Sequence, residues 1–356
     1  MRIAIFGTGG AGGYFGAQLA HAGEDVVFIA RGPHLQAIRT TGLRLDTPAG
    51  EIVIQPARAM DDPAQAGQVD VVLLGVKAWQ VTEAAEALRP MIGPETMVVP
   101  LQNGVDAPSQ LAAQLGARHA LAGLCGTFSW VTAPGRIRSI GASHFIKFGE
   151  LDNRPSERTE LLRRVFERAS VQVEIPADIH KALWDKFLLV VSFGGMGALT
   201  RAPIGVIRTI PETRRLLQCC MQEVNAVAEA RRVALAASVV ADTMAFLDSL
   251  AENATTSLQR DIIDGKPSEL EAWNGAVVRL AREAGVAVPT HEAVYYCLLP
   301  QELRAIDVPG LSKRPQSGRP AHCRASRRRS AYPSRAVAQR LRRERVFMPQ
   351  SGHCAS

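Results

Sequence analysis

The sequence is poor in cysteine, and the six cysteines among its 356 residues form no pattern of a metal site or a disulfide framework. None belongs to a Cys-x-x-Cys motif, and the adjacent Cys219 and Cys220 are poor disulfide partners for one another. No cluster of histidines has the spacing of metal ligands either. We therefore expect no metal site, and the free thiols indicate a reducing cytoplasm.

Long hydrophobic runs are also absent. The longest apolar stretch, residues 187–199, is interrupted by Gly and Ser and is shorter than the roughly 20 residues that span a bilayer. At the N-terminus, only residues 3–6 form an apolar run before a glycine-rich segment begins, which argues against a signal peptide. The sequence therefore predicts no membrane span, and we expect a cytoplasmic protein.

The positive charge is confined to one end of the chain, although the formal net charge is +7. Residues 310–356 contain twelve of the 41 Lys and Arg residues and a single acid, so the rest of the chain is mildly acidic. The overall basicity is thus no indication of a nucleic-acid partner for residues 1–308. The tail, residues 309–356, has the composition of a disordered segment. A nucleic-acid-binding arm and sequence beyond an altered reading frame are alternatives for it.

Strand and helix patterns alternate over residues 1–177. A strand at residues 3–6, a glycine-rich loop, a helix at 14–22 and a strand at 26–30 form a βαβ unit. Further segments follow, with strands at 69–76, 97–101, 121–127, 144–149 and 171–175 and helices at 81–88 and 161–169. Such alternation is typical of a mostly parallel sheet with helices on both faces.

The loop of the βαβ unit has the form G-x-G-x-x-G. Its first glycine permits a tight turn, its second lets a pyrophosphate approach the backbone, and its third lets helix and strand pack closely. The phosphates then lie at the helix N-terminus. Because the loop follows a strand and opens a helix, it predicts a dinucleotide-binding Rossmann site rather than a turn without ligand. The cofactor-binding residues assigned here are Gly7, Thr8, Gly9, Gly10, Ala11 and Gly12.

The end of the second strand indicates which dinucleotide binds. An NAD site usually places an acid there, about 20 residues after the glycines, to bind the ribose 2′-hydroxyl. This chain has no acid there and has Arg31, which can pair bidentately with a 2′-phosphate. The sequence therefore favours NADPH/NADP+ as the cofactor, with a solvated loop arginine as the alternative.

From residue 178 to residue 308 the pattern is almost entirely helical. Residues 179–199 are apolar on every side, which is typical of a buried helix. Periodic stretches follow at 212–234, 241–263 and 268–284, the last of which opens with the Ser-x-x-Glu pattern of a capping box. The predicted fold is an α/β N-terminal Rossmann domain, residues 1–177, plus an all-α C-terminal domain, residues 178–308.

Two polar residues follow predicted strands at the edge where open α/β sheets bind ligands. Lys77 comes directly after the strand at 69–76, and Asn103 follows the strand at 97–101. Asn-Gly is also a type I′ turn sequence, but the helical pattern at 107–115 does not fit a hairpin. We therefore expect both side chains to contact ligand.

Lys186 lies within the apolar helix at 179–199. A buried ammonium must find polar partners or lose its proton, and partial desolvation lowers its pKa toward neutrality. Such a lysine suits a general acid that protonates a carbonyl oxygen, whereas a lysine that reaches the surface is the alternative. Glu269 and Ser257 have simpler explanations, since acids in a first helical turn favour the helix dipole and surface hydroxyls are common.

Taken in order, these segments resemble the ketopantoate reductase family (2-dehydropantoate 2-reductase). The resemblance extends from Met1 to about Leu303. It rests on GTGGAG from residue 7, Arg31, VKAWQ from residue 76, QNG from 102, LWDK from 183, TSLQRD from 256 and SELEAWNG from 268.

The resemblance implies roles for five side chains. The catalytic lysine of the family corresponds to Lys186, and the glutamate that hydrogen-bonds the substrate hydroxyl corresponds to Glu269. Ser257 corresponds to the serine that binds the substrate carboxylate, and Lys77 and Asn103 to the pair beside nicotinamide and substrate. The implied reaction is the NADPH-dependent reduction of 2-dehydropantoate to pantoate, in pantothenate and coenzyme A biosynthesis. The resemblance is also compatible with a homodimer.

Two positions depart from the family pattern. Members often carry asparagines four and eight residues after the catalytic lysine, where this chain has Val190 and Gly194. Both share a helix face with Lys186, so the pocket wall is expected to lack amides and to have open space at Gly194. Another small branched 2-oxo acid is therefore an alternative substrate. A non-catalytic NADP-binding sensor is a second alternative, which the retained Lys186, Glu269 and Ser257 disfavour.

Overall fold

The computed structural model describes residues 1–306, apart from the side chains of residues 142 and 143. The predicted basic tail, residues 309–356, and the last two positions of the predicted helical domain lie outside the described residues.

Strands and helices alternate in the N-terminal half. The strands are β1 (Arg2–Phe6), β2 (Asp25–Ile29), β3 (Leu43–Thr47), β4 (Gly50–Ile54), β5 (Arg58–Met60), β6 (Val69–Leu74), β7 (Ile92–Pro100), β8 (Leu121–Ala133), β9 (Arg136–Glu150) and β10 (Gln172–Glu174). The helices are α1 (Gly10–His21), α2 (Gly32–Thr41), α3 (Val81–Leu88), α4 (Ala107–Leu115) and α5 (Glu157–Arg168).

The first sheet is parallel throughout and has the strand order β5-β2-β1-β6-β7. Its strands are buried on both faces: Ile3 and Ile5 belong to one hydrophobic core, whereas Ala4 and Phe6 belong to another on the opposite face. The chain leaves β1 in one direction toward β2 and later returns to β6 on its other side. Open α/β sheets bind ligands at the carboxyl edge beside such a switch in strand order.

A second, mixed sheet contains β10-β9-β3-β4, with β8 paired to β9. The expectation of one mostly parallel sheet is wrong for residues 121–127 and 144–149, which belong to the antiparallel hairpin of β8 and β9. The prediction shortened both strands because the outer half of β8 is exposed and lacks a continuous apolar run. Ion pairs such as that between Arg136 and Asp46 stabilise the outer part of this sheet. Charged residues of this kind are typical of loops, so the sequence pattern did not indicate a strand there.

The C-terminal half is helical. Its elements are α6 (Ile179–Thr200), α7 (Ile204–Thr209), α8 (Pro211–Ala230), α9 (Val239–Ser249), α10 (Ser257–Ile263), a π-helical turn (Glu271–Gly275), α11 (Ala276–Ala284) and α12 (Pro289–Ala305). The predicted fold class, an α/β domain followed by an all-α domain, is confirmed. By length and composition, α6 alone among the described helices qualifies as a membrane span, but most of it is buried against the other helices, as in the core helix of a globular domain.

Two predicted features of the helical half are wrong. The stretch 241–263 is not one helix, because the chain breaks after α9 and restarts at α10, where the Thr256 hydroxyl accepts the Gln259 N–H at 3.2 Å. The capping box of Ser268 and Glu271 does not form either. The buried carboxylate of Glu302 accepts the N–H and the hydroxyl of Ser268, and Glu271 accepts the Tyr295 hydroxyl instead.

Candidate functional site

The glycine-rich loop after β1 has the geometry of a tight, open cradle. Gly7 has a φ of +96°, which residues with a Cβ rarely adopt. A Cβ on Gly12 would lie 2.2 Å from the Gly7 carbonyl oxygen, whereas a Cβ on Gly9 would meet no atom within 4 Å. The turn and the helix contact therefore require glycine, and the backbone at Gly9 faces free space.

The helix α1 begins at Gly10, four residues earlier than predicted, because glycine gives no helical signal in a sequence pattern. Among the described residues, no side chain caps this N-terminus, and its first turn contains no acid. The first N–H groups of a helix have no partner within the helix, and they attract anions together with the helix dipole. The loop and helix thus form a suitable anion site at the end of β1.

A cleft of about 600 Å³ follows the carboxyl ends of β2, β1, β6 and β7. Most residues assigned from the sequence line it: Gly7, Thr8, Gly9, Gly10, Ala11, Arg31, Lys77, Asn103 and Glu269. Gly12 lies behind the loop, and Lys186 and Ser257 are outside the lining. The helical domain therefore reaches this cleft through Glu269.

Arg31 is exposed at one end of the cleft, where it precedes α2. Its guanidinium has no hydrogen-bond or ion-pair partner within residues 1–306, so its donors are available to a ligand. His34, which sequence reasoning missed, lines the cleft beside it and accepts the Gly135 N–H through Nδ1 at 3.0 Å. Neither composition nor motif spacing marks a histidine three residues after an arginine as part of a binding site.

Lys77, Asp261 and Glu269 form an ion-paired cluster where the two domains meet. The Nζ of Lys77 lies 3.0 Å from Oδ2 of Asp261 and 3.7 Å from Oε2 of Glu269. The other oxygen of Glu269 accepts the Ala78 N–H at 3.0 Å. Burial opposes the charge of Lys77, but the two carboxylates outweigh it and raise the pKa of Lys77. The lysine is therefore cationic throughout the neutral range.

Glu269 is buried, with 8% of its surface exposed. Burial raises the pKa of its carboxyl, and Lys77 and the Ala78 N–H oppose that shift. The hydrogen bonds from Ser268 to Glu302 anchor the backbone directly before Glu269. The α/β domain thus holds the carboxylate of Glu269, and the helical domain holds the adjacent backbone.

Lys186 occupies a different environment on α6. Its ammonium donates to the carbonyl oxygen of Cys125, a residue of β8, and it has no ion-pair partner within the described part of the chain. Burial lowers the pKa of Lys186, although Glu269 is near enough to oppose the shift. A lysine with a depressed pKa beside an acid is suited to proton transfer.

Ser257 is the first residue of α10, and Asp261 follows four residues later on the same helix face. Since Asp261 contacts Lys77, this face of α10 is directed at the ion-paired cluster. The sequence analysis quoted the motif that contains Asp261 but gave the residue no role. The i, i+4 spacing from Ser257 was the signal that could have found it.

The expected open space at Gly194 is wrong. A Cβ on Gly194 would lie 2.6 Å from Cζ3 of Trp273 and 3.4 Å from Cδ2 of Leu258. Trp273 is fully buried and belongs to the π-helical turn that follows Glu269. The indole ring therefore fills the volume beside Gly194, so the wall formed by Val190 and Gly194 has no polar side chain and no open space at Gly194.

Comparisons with known proteins agree with this architecture. The sequence model described as "Ketopantoate reductase PanE/ApbA" matches residues 3–153, and "Ketopantoate reductase PanE/ApbA C terminal" matches residues 178–302. A 2-dehydropantoate 2-reductase of Mesorhizobium japonicum is 33% identical over 315 residues, which cover 83% of this chain and 95% of the relative.

Solved structures show the same likeness. The crystal structure of 2-dehydropantoate 2-reductase from Geobacter metallireducens is 31% identical, covers 84% of this chain and 99% of its own, and has a TM-score of 0.79. A D-mandelate dehydrogenase solved with NADH and anilino(oxo)acetate also has a TM-score of 0.79 and covers 85% of this chain and 98% of its own, but at 20% identity it shows the fold alone. The chain belongs to the ketopantoate reductase family and is an oxidoreductase that acts on CH–OH/C=O groups with a nicotinamide cofactor.

Proposed function

We propose that this protein is a cytoplasmic enzyme that reduces 2-dehydropantoate to pantoate with NADPH. The observation that carries the proposal is the meeting of two differently tuned lysines around Glu269, beside a cleft that begins at a dinucleotide-type glycine loop. A sensor without catalysis would not need a general acid with a depressed pKa, and membership of an oxidoreductase family argues against that alternative.

The cleft fits a nicotinamide dinucleotide. Free space beside Gly9 and the uncapped N-terminus of α1 suit the pyrophosphate. Arg31 would pair with a 2′-phosphate at the β2 end, and Lys77 and Asn103 would contact the nicotinamide half at the β6 and β7 ends. The arginine favours NADPH over NADH because no acid is present there to bind the 2′-hydroxyl or repel a phosphate.

Three side chains of the helical domain are assigned to proton transfer and substrate binding. When bound, the cofactor supplies the hydride that reduces the ketone carbon. Lys186 holds a proton at Nζ and donates it to the ketone oxygen, and its positive charge stabilises the developing alkoxide. Glu269 accepts a hydrogen bond from the substrate hydroxyl, and Ser257 donates one to the substrate carboxylate.

Another small branched 2-oxo acid is the second candidate substrate. The wall formed by Val190 and Gly194 favours it, because neither residue offers a side-chain hydrogen bond to a hydroxylated substrate. A compact alkyl group would pack there without leaving a polar group unpaired.

The test is NADPH oxidation by the purified protein with a panel of 2-oxo acids, in which 2-dehydropantoate is compared with 2-oxoisovalerate. We expect 2-dehydropantoate to be turned over and NADPH to be preferred over NADH. No turnover of any 2-oxo acid would contradict the proposed reaction, and equal use of both cofactors would contradict the proposed preference.

A further inference from the structure

Glu302 is a buried acid of the helical domain that has no part in the mechanism above. It lies in the last turn of α12 and is 4% exposed. A carboxylate is rarely buried unless it is paired or accepts several hydrogen bonds. Its hydrogen-bond partners therefore indicate its task.

These partners surround Glu269. Oε1 of Glu302 accepts the N–H of Ser268 at 3.0 Å, and Oε2 accepts the hydroxyl of the same serine. The Oγ of Ser268 in turn accepts the Leu270 N–H at 3.3 Å. The backbone on both sides of Glu269 is thus tied, directly or through one hydroxyl, to a single carboxylate.

The backbone at Glu269 lies outside the helices and strands. Residues 266–269, all of which the structure describes, connect α10 to the π-helical turn and its preceding Leu270. In a regular element, ladder hydrogen bonds between backbone groups would set the conformation. Here the hydrogen bonds to Glu302 take that place, so the direction in which the Glu269 side chain leaves the backbone depends on Glu302.

Glu269 needs a defined direction because it contacts the other domain. Its Oε1 accepts the Ala78 N–H at 3.0 Å, and its Oε2 lies 3.7 Å from Nζ of Lys77. Hydrogen bonds weaken steeply when donor and acceptor move out of line. A shift of the backbone at Glu269 would therefore weaken these contacts and turn its carboxylate away from the substrate hydroxyl.

We propose that Glu302 is a positioning residue that acts through Glu269 and thereby sets the selectivity for a hydroxylated 2-oxo acid. This inference rests on the proposed function, because it takes Glu269 as the acceptor of the substrate hydroxyl. Glu302 does not line the cleft, so it acts without contact to substrate or cofactor. Its loss should weaken recognition of the hydroxyl and spare a substrate that has none.

Steady-state kinetics with two matched substrates test the proposal. 2-Oxoisovalerate has a hydrogen atom where 2-dehydropantoate has a hydroxymethyl group. Glu302→Ala in the full chain should lower the ratio of kcat/KM for 2-dehydropantoate to that for 2-oxoisovalerate by about 3- to 10-fold, the range for one hydrogen bond. Glu302→Gln keeps an acceptor for the Ser268 N–H and a donor for the serine oxygen, so it should restore most of the ratio. The control Glu292→Ala, in the first turn of the same helix, should keep the wild-type ratio.

A double variant tests whether Glu302 acts through Glu269. Glu269→Ala alone should lower the same ratio. Adding Glu302→Ala should then change it by less than about twofold, because the side chain that Glu302 positions is gone. Ser268→Ala, which removes the bridging hydroxyl and keeps the backbone N–H, should lower the ratio in the same direction as Glu302→Ala.

The outcomes separate this inference from the function on which it rests. Equal losses for both substrates in Glu302→Ala, or independent effects of the two substitutions in the double variant, would overturn the role of Glu302 while the reductase activity stands. If the wild-type protein turns over no 2-oxo acid, the proposed function fails and the inference fails with it. Should Glu302→Ala not fold, a wild-type ratio in Ser268→Ala would overturn the proposal.

Discussion

The two domains contribute different kinds of groups to the cleft and its immediate surroundings. The α/β domain supplies backbone N–H groups and two cationic side chains, the exposed Arg31 and the ion-paired Lys77, whose pKa is raised. The helical domain supplies the half-buried Lys186, whose pKa burial lowers, and the buried Glu269, whose pKa burial raises. Fixed charges suit the binding of an anionic cofactor and substrate, whereas shifted pKa values suit proton transfer. Cofactor binding is therefore expected to depend on the α/β domain and proton transfer on the helical domain, and substitutions in each domain should separate the two.

Lys186→Ala should have the largest effect. Loss of a general acid lowers kcat by about 10²- to 10⁴-fold, while the Kd of NADPH should change little because Lys186 lies outside the cofactor cleft. Stopped-flow reduction and NADPH titration measure the two quantities. The matched control is Lys181→Ala, earlier on the same helix, which should keep wild-type kcat. A Lys186→Ala enzyme within threefold of wild-type kcat, with chemistry rate-limiting, would remove this residue from the mechanism.

The pH profile sharpens the same point. Burial places the pKa of Lys186 below that of an ordinary lysine, so the protonated acid is lost as the pH rises through this lowered value. The kcat for reduction should therefore fall tenfold per pH unit above it. This limb should be missing from the residual activity of Lys186→Ala. A profile that stays level up to the ordinary lysine range would contradict the depressed pKa.

Arg31→Ala tests cofactor recognition by the α/β domain. The exposed guanidinium has no partner to lose within the described chain, so folding should be unchanged. Loss of a charge-assisted pair with the 2′-phosphate should raise the KM for NADPH by about 10- to 100-fold. The KM for NADH should stay nearly constant, which makes NADH the internal control. An equal rise for both cofactors would show that Arg31 does not read the 2′-phosphate.

Much of the cofactor-binding region of the α/β domain was predictable from the sequence, whereas most of the contacts between the two domains were not. The βαβ unit and α3 gave strong local patterns, and the structure places α3 at the predicted residues 81–88. The cluster of Lys77, Asp261 and Glu269 joins residues more than 180 positions apart, and no local pattern reports such a contact. The ring of Trp273 against Gly194 was invisible for the same reason. Glycine in a sequence indicates a missing side chain, but only the fold shows whether the space is filled.

Asp261→Asn tests the electrostatic coupling between Lys77 of the α/β domain and Glu269 of the helical domain. Asp261 raises the pKa of both Lys77 and Glu269, so its loss should lower both values. Because Lys77 is 41% exposed and therefore screened by solvent, we expect only about a 3- to 10-fold loss in kcat/KM. The loss of activity on the acidic side, where Glu269 becomes protonated, should also move to lower pH. The control Asp264→Asn removes an exposed partner of Lys266 on the surface and should leave the profile in place. An unchanged profile in Asp261→Asn would mean that this carboxylate does not tune the cluster.

The smallest effect is expected at the wall formed by Val190 and Gly194, where the quantity compared is the preference for 2-dehydropantoate over simple branched 2-oxo acids. The hydroxyl of 2-dehydropantoate, if directed at Val190, would lose a partner at a cost of about 1–3 kcal/mol. Simple branched 2-oxo acids should therefore compete within about tenfold in kcat/KM in the wild-type enzyme. Val190→Asn adds an amide one turn from Lys186 and should shift the ratio toward 2-dehydropantoate by about 3- to 10-fold. Gly194→Asn is the contrasting variant: its Cβ would meet the Trp273 ring at 2.6 Å, so it should lower the Tm without improving selectivity. A wild-type preference for 2-dehydropantoate above a thousandfold over 2-oxoisovalerate would show that this wall does not determine the substrate, because Glu269 alone would then be sufficient to select the hydroxyl.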